Sequence, residues 1–363
     1  MRASSVVIAC VAVSFLFVTP VGAAADAPGS VEMSGVAGSG TPLSRSLPEA
    51  GELSGTVTLS GAWALYPMAV RWAEEFRKVH PNVRMDIGAG GAGKGMADAL
   101  AGIVDLGMVS RQVYPAEVER GAWWVSVTRD AVVPVVSAEN PALEQLLVDG
   151  LRREDFRSVW VAESASFWDE ICRGAPAAPI RAYTRSDACG AAQTWASYLG
   201  ATQEELMGVG VYGDPGLAEA IRRDALGIGF NNINYAYDAV TGRVVTGLAI
   251  VPIDLDGSGS LESSESFYDT MDGVVAAIAD GRYPSPPSRD LHLVSRGVPE
   301  RPEVIAFLRW ILTDGQRFVR EAGYIRLSDE RLASELERLL DADPAGGTGR
   351  DNAARGRRAV ARP

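Results

Sequence analysis

Residues 254–265, DLDGSGSLESSE, place oxygen-bearing side chains where a calcium-binding loop needs them. Asp254, Asp256, Ser258 and Glu262 fall at loop positions one, three, five and nine, with Gly259 at six, Leu261 at eight and Glu265 at twelve. A hard cation needs several oxygens at once, and the glycine permits the sharp turn between them. The backbone carbonyl of Ser260 and a bidentate Glu265 would complete the shell. The expected cofactor is therefore a structural Ca²⁺ that ties down the late helices; the competing reading is a solvated acidic turn. The residues before the loop read as a strand, so the match is to a calcium loop alone.

A second set of residues suits an anion. Arg185 and Asp187 alternate along an extended stretch, as in a bidentate clamp whose guanidinium is oriented by an acid. The same pair on an open surface would be worth little. Cys189, Gly190 and Ala191 follow at a helix start, where thiol pKa values fall. The only histidines are His80 and His292, and neither supplies a persuasive triad, so a nucleophilic cysteine is not expected. The stretch 88–95, GAGGAGKG, comes within one residue of a phosphate-binding P-loop. Gly95 stands where the Mg²⁺-binding hydroxyl belongs, which excludes NTP chemistry. Lys94 within that loop is either a point-charge donor to an anion or a solvent-facing lysine.

The elements that must position these residues repeat a pattern. At 56–76, 83–102 and 179–200 a short apolar run breaks into small residues and an amphipathic helix begins. Helix N-termini present unpaired N–H groups and the positive end of the dipole, so three converging starts would make an anion cradle. Further along, 128–138 reads as a strand entering a second α/β unit that ends at 226–237. A strand at 247–253, the acidic loop and helices at 266–281 and 302–323 follow. Strands alternating with helices argue for parallel-rich sheets covered on both faces. Trp72, Trp123, Trp124, Trp160 and Trp168 read as packing residues rather than a ligand cage.

Composition bounds the rest. The chain has 363 residues, enough for two ordinary domains, and a net charge of −12 that excludes non-specific nucleic-acid binding. Met1-Arg2, the apolar run Val6–Val18 and the small residues Gly22–Ala25 read as a Sec signal peptide, too short to span a bilayer. The mature chain would then keep Cys172 and Cys189; a bridge between them would add about 3 kcal/mol, and spacing leaves both the bridge and free thiols open. The expected division is a signal peptide at 1–25, a flexible leader at 26–52, lobe 1 at 53–133 plus 249–341 with the calcium-type loop 254–265, lobe 2 at 134–248, and a disordered basic tail at 342–363. Hinge strands are expected near residues 133 and 248.

The order SGAWALYP, RWAEEF, a Gly-rich loop, VDLGMVSR, TRSDACGAA and GIGFNNINYAY resembles the periplasmic phosphate-binding protein family of ABC transporters, from about Gly55 to Ala322. The resemblance implies an α/β, type II-like two-lobe binding protein with its ligand in the cleft between lobes. It assigns anion-binding roles to Leu65, Tyr66, Ala92, Ser110, Arg185, Cys189, Gly190 and Ala191, with Asp187 close by. Ala92, Cys189 and Ala191 lack the hydroxyls the family places there, and Ser110 stands where an acid is often found. Backbone N–H groups at Gly91, Gly93, Gly190 and Ala191, and Lys94, are the donors left to replace them. The implied function is capture of a small oxyanion, phosphate first and a small carboxylate next, for a membrane ABC transporter permease. The protein is then a monomeric, periplasmic or secreted non-enzyme. The alternatives are an exported phosphatase on the same scaffold and a ligand-sensing receptor subunit.

Overall fold

The computed structural model describes residues 53–341. The signal peptide, leader and basic tail expected at 1–25, 26–52 and 342–363 lie outside the described residues. Nine strands follow in chain order: β1 (Gly55–Gly61), β2 (Val83–Ala89), β3 (Leu106–Val109), β4 (Ala122–Ser137), β5 (Arg181–Arg185), β6 (Val209–Val211), β7 (Gly227–Asn232), β8 (Leu248–Ile250) and β9 (Ser288–Arg296). Their spatial order is β2-β1-β3-β9-β4-β7-β5-β6, with β8 also on β4. Pairing is parallel at both ends, where β1 joins β2 and β3 and where β5 joins β6 and β7. It is antiparallel in the middle, where β4 meets β9, β7 and β8 and where β9 meets β3. Parallel neighbours need crossover helices, which cover the sheet faces.

The helices are α1 (Tyr66–Val79), α2 (Ala92–Ala101), α3 (Pro115–Glu119), α4 (Leu143–Asp149), α5 (Arg153–Trp160), α6 (Gly190–Leu199), α7 (Asp214–Arg222), α8 (Ile233–Ala236), α9 (Met271–Ala279), α10 (Pro302–Leu312) and α11 (Asp329–Asp341). Local chemistry fixes several ends. Pro67 sits in the first turn of α1 and Arg77 and Lys78 in its last, both favoured there. Gly91 begins α2 at φ +91 and Gly102 ends it at φ +70, backbone shapes that disfavour a side chain. None of the helices among the described residues is long and apolar enough to cross a membrane.

Two hydrophobic cores define two lobes. One gathers residues from Leu53 to Val127 and from Leu291 to Leu339, with Trp72, Phe76, Phe307 and Trp310 at its centre. Trp72 also donates its indole N–H to the Gly315 carbonyl at 2.9 Å, which satisfies its polar atom in the core. The other core runs from Ala131 to Tyr283, plus Ile325, around Trp160, Trp195 and Phe230.

The packing moves one expected boundary. Residues 249–287 were assigned to lobe 1, but Val251, Ile253, Phe267, Tyr268, Met271, Val274 and Ile278 pack into the second core. Tyr268 donates to no distant lobe: its hydroxyl accepts from the Ile253 N–H, and its carbonyl accepts from Tyr237. The chain crosses outward within β4, between Val127 and Ala131, just past the β4–β9 register shift between Ser126 and Thr128. It returns between Tyr283 and Leu291, at the start of β9, so the second hinge lies there and not near 248. A third segment meets the crossing, since Ile325 exchanges backbone hydrogen bonds with Arg129 at 2.9 and 3.0 Å. Helix 266–281 is also shorter than expected, beginning at Met271 with Thr270 as its side-chain cap.

Candidate functional site: the cleft between the lobes

The glycine-rich loop is anchored first to its own lobe. Gly90 and Gly91 both donate to the Gly61 carbonyl at the end of β1, at 2.8 and 3.0 Å. The next donor crosses the cleft: Gly93 N–H reaches the Ala188 carbonyl at 3.1 Å. A Cβ on Gly91 would stand 2.9 Å from both that carbonyl and the Asp187 carboxylate, and one on Gly190 would collide with Ser110. The loop, Ser110 and the segment 187–190 are therefore in contact. Of the three helix starts expected to converge, those of α2 and α6 meet there.

Arg185 forms the charged centre of this contact. Its side chain is fully buried; Nε and Nη2 donate to Asp187 at 2.8 and 2.7 Å, and Nη1 donates to Asp214 at 2.6 Å. Burial opposes the charge, but the Asp214 and Asp187 carboxylates outweigh it and hold the guanidinium pKa above its ordinary value. Three of its five N–H donors are thus committed, leaving one on each Nη. Asp187 also accepts from Gly213 N–H at 3.2 Å. Asp214 is held in turn by Asn232, whose Nδ2 donates at 2.6 Å.

The remaining expected donors divide into spent and free. Cys189 N–H goes to Gln203 Oε1 at 3.1 Å, while its sulfur caps α6 by accepting from Ala192 at 3.4 Å. Gly190 and Ala191 occupy the first turn of α6, where N–H groups have no intrahelical acceptor. Leu65 and Tyr66 do not serve as free donors, since both N–H groups bond the Ala62 carbonyl at 3.1 Å in the β1–α1 turn, and the Leu65 side chain is core. Ala92 is buried and contributes a backbone position only. Lys94 is not a cradle donor: its ammonium pairs with Asp98 one turn along its own helix, and Ser60 donates to the same carboxylate at 2.6 Å. That partner stands at i+4, a spacing at which helical charges meet.

Neither cysteine is reactive or bridged. Cys172 and Cys189 are free, buried thiols. Burial pushes Cys189 up to about 12 and Cys172 up to about 11. The fall expected at a helix start is overridden by desolvation, with Asp187 and Asp214 acting in the same direction and Arg185 against it.

Four cleft residues escaped sequence reasoning. Trp63, in the β1–α1 loop, stands edge-on to Tyr212 with centroids 6.3 Å apart, and its carbonyl accepts from Tyr235 at 3.1 Å, so it bridges the lobes. Asp214 is the second carboxylate on Arg185. Arg289, on β9, donates to the Gly190 carbonyl at 2.9 Å and also to Asn232. Asp130, on the crossing part of β4, is completely buried, and neither carboxylate oxygen has a hydrogen-bond partner. Arg289 Nη2 lies 3.4 Å from it.

The calcium-type loop sits away from this centre. Oxygens of Asp254, Asp256 and Glu265 lie within 4.8 Å of one another, while Glu262 is exposed and outside that group. Ser258 Oγ donates to the Ser260 carbonyl at 2.9 Å. The loop is preshaped by its own amides: Asp254 accepts from Gly257 and Gly259, at 2.8 and 2.9 Å, and Glu265 from Leu255 at 2.6 Å. Each carboxylate oxygen keeps a lone pair after one such bond, so the hard-oxygen donor set fits Ca²⁺. The loop leans on the α4–α5 turn, with Leu261 N–H on the Val148 carbonyl and Asp254 N–H on that of Leu151. A bound ion would therefore brace that turn as much as the late helices.

Two α/β lobes with two crossing segments and a buried arginine at their contact define a solute-binding architecture. A sequence model of the PBP superfamily domain matches residues 48–315, and the chain belongs to that family. Protein SphX of Synechococcus elongatus is 23% identical over 308 residues, spanning 80% of this chain and 83% of the relative. The phosphate-binding protein PstS of Methanocaldococcus jannaschii is 21% identical, spanning 83% of this chain and 89% of its own. Among solved structures, a Clostridium perfringens protein with bound phosphate superposes with a TM-score of 0.61 at 21% identity, covering 76% of this chain and 100% of that one. An ABC-type phosphate transport receptor from Vibrio cholerae gives 0.55 at 17% identity, over 75% of this chain and 100% of its own. These likenesses establish the two-lobe fold.

Proposed function

We propose that this chain is an exported solute-binding protein that captures a small oxyanion, phosphate first, and delivers it to a membrane ABC transporter permease. The observation that carries the reading is Arg185, fully buried in the cleft beside the open first turn of α6. Relatives named phosphate-binding protein that align over four fifths of the chain support the same ligand. Arg185 would bind through its two uncommitted N–H groups, with Gly190 and Ala191 N–H replacing the hydroxyls that Cys189 and Ala191 lack. The protein works as a periplasmic or secreted monomer and as a receptor, not a catalyst.

Calorimetric titration of ligand-stripped protein with phosphate tests this. Binding at about micromolar Kd or tighter, lost in Arg185→Ala, is expected; no heat and no thermal shift would exclude phosphate. Turnover of a chromogenic phosphate ester would instead make it an enzyme. A structural Ca²⁺ on Asp254, Asp256 and Glu265 belongs to the same proposal. It is supported by the position-by-position fit of 254–265 and by the meeting of the three carboxylates. A calcium-specific rise in unfolding temperature, absent with Mg²⁺, is its test.

A further inference from the structure

One feature of the cleft left unused is a cavity of about 490 Å³ between the lobes, one turn beyond the arginine contact along α6. Gln193, Thr194 and Ser197 of α6 form its second-lobe wall, and Arg111 and Tyr114 face them from the first lobe. Its size falls in the roughly 300–1,000 Å³ range of sites that take organic molecules, well above the need of one tetrahedral ion. At the arginine contact the lobes already touch, with Gly190 packed on Ser110 and Gly91 on Asp187. This cavity offers room that the arginine contact does not.

Its lining is built for polar ligands. Arg289 is 8% exposed, lines the cavity, and its Nε–H is buried with no partner. A buried donor left unpaired is costly, so Arg289 keeps unspent hydrogen-bonding capacity beside the cavity. His292 is also in the lining. Ser126 Oγ accepts from Arg331 at 3.0 Å and shares a hydrogen bond with His292 Nδ1 at 3.1 Å. Burial pushes the imidazole pKa down to about 4, which keeps the ring neutral near pH 7. Gln193, Thr194 and Ser197 add an amide and two hydroxyls. Asp290 is the one acid in the lining, and Arg129 and Arg331 lie 3.3 and 3.6 Å from it. Arg111 is held bidentately by Glu117 at 3.0 and 2.7 Å. The least compensated cation is therefore Arg289, whose nearest acid is the buried Asp130.

We infer that this cavity is a ligand pocket for a hydroxylated organic anion, a sugar phosphate or sugar acid, with the anionic group on Arg289 and hydroxyls along the Gln193–Ser197 face of α6. The inference rests on the solute-binding reading and sharpens its ligand class.

The test compares glucose 6-phosphate, gluconate and inorganic phosphate by calorimetry on three proteins. These are the wild type, Arg185→Ala, and Ser197→Trp, which fills the mouth from an exposed position and leaves the core intact. At least one organic anion is expected to bind about tenfold or more tightly than phosphate, with that advantage lost in Ser197→Trp. Preference for glucose 6-phosphate identifies the ester; preference for gluconate identifies the carboxylate. Two results would overturn the pocket: no organic anion surpassing phosphate, or an advantage untouched by Ser197→Trp. If phosphate then still binds in an Arg185-dependent way, the oxyanion reading stands alone. Organic binding without phosphate binding supports the pocket and removes inorganic phosphate as ligand. No binding by any of the three anions overturns both.

Discussion

Asp130→Asn is expected to stabilise the protein by an amount that grows with pH. Asp130 lies on β4 where the chain passes between lobes, completely buried, with both carboxylate oxygens unpaired. Burial pushes its pKa up to about 7; Arg289 pulls the other way and Asp214 adds to the rise. The sign follows from proton counting. Between the unfolded value, about 3.9, and the folded one, the native state holds a proton that the unfolded chain has lost, so stability falls as pH rises. At 1.36 kcal/mol per pKa unit the cost is about 1.5 kcal/mol near pH 5 and about 4 kcal/mol near pH 8. Asparagine keeps the shape and carries no such cost. The 3.4 Å approach of Arg289 favours the ionised carboxylate and is already contained in the folded value. Urea unfolding of both proteins at matched ionic strength should show the variant's advantage widening by about 2.5 kcal/mol from about pH 5 to about pH 8. Parallel pH profiles would mean that Asp130 titrates normally and that its burial is compensated in solution, which would refute the reasoning.

Three further outcomes follow from the geometry. Gly91→Ala should cost about 1–3 kcal/mol in thermal or urea unfolding, since the residue sits at φ +91 and its new Cβ would crowd Ala188 and Asp187; an unchanged stability would mean the lobes do not meet there. In about 10 mM Ca²⁺ the wild type should gain roughly 1.5–3 kcal/mol if its Kd lies in the 10⁻⁴–10⁻³ M range, and Glu265→Gln should lose most of that gain. Cys172 and Cys189 should resist a thiol reagent in the folded protein and react fully in denaturant, because burial raises both thiols to about 11 and about 12; fast labelling of native protein would contradict the closed second core.

How far the sequence foretold this arrangement depends on the range of the contacts involved. β1, α1, β2 and α2 were legible because their signals are local: Val57 and Leu59 alternate, Trp72 and Phe76 stack one helical turn apart, and glycines mark both ends of α2. Arg185, Asp187 and the glycine-rich loop were legible for the same reason. β9 was not, because both its faces are buried and include Ser288, Arg289, His292 and Ser295, and apolar alternation fails where a strand borders a polar cleft. Asp214 could not be paired with Arg185, nor Asp130 with Arg289, from spacing alone. Those partners meet only once the sheet has assembled. The lobe boundary failed similarly: Val251, Ile253 and Tyr268 are as apolar as any lobe 1 residue, and only packing decides which core receives them.

The cleft's charge balance gives a physical route by which ligand binding would be coupled to the contact between the lobes. Arg289 belongs to β9, which pairs with the first-lobe strand β3, yet it donates to Gly190 and Asn232 of the second lobe. It also lines the cavity, so one side chain is both a latch between lobes and a donor to whatever lies between them. A ligand that bonded Arg289 from the cavity would stabilise this arrangement of the lobes by the free energy of that bond. A ligand shifts a two-state equilibrium only through such differential contacts. Trp63 contributes in the same sense from the other side, its carbonyl held by Tyr235 and its ring set against Tyr212. The contacts between the lobes therefore draw on arginine and tryptophan side chains, and a ligand that completed them would favour this arrangement over any other.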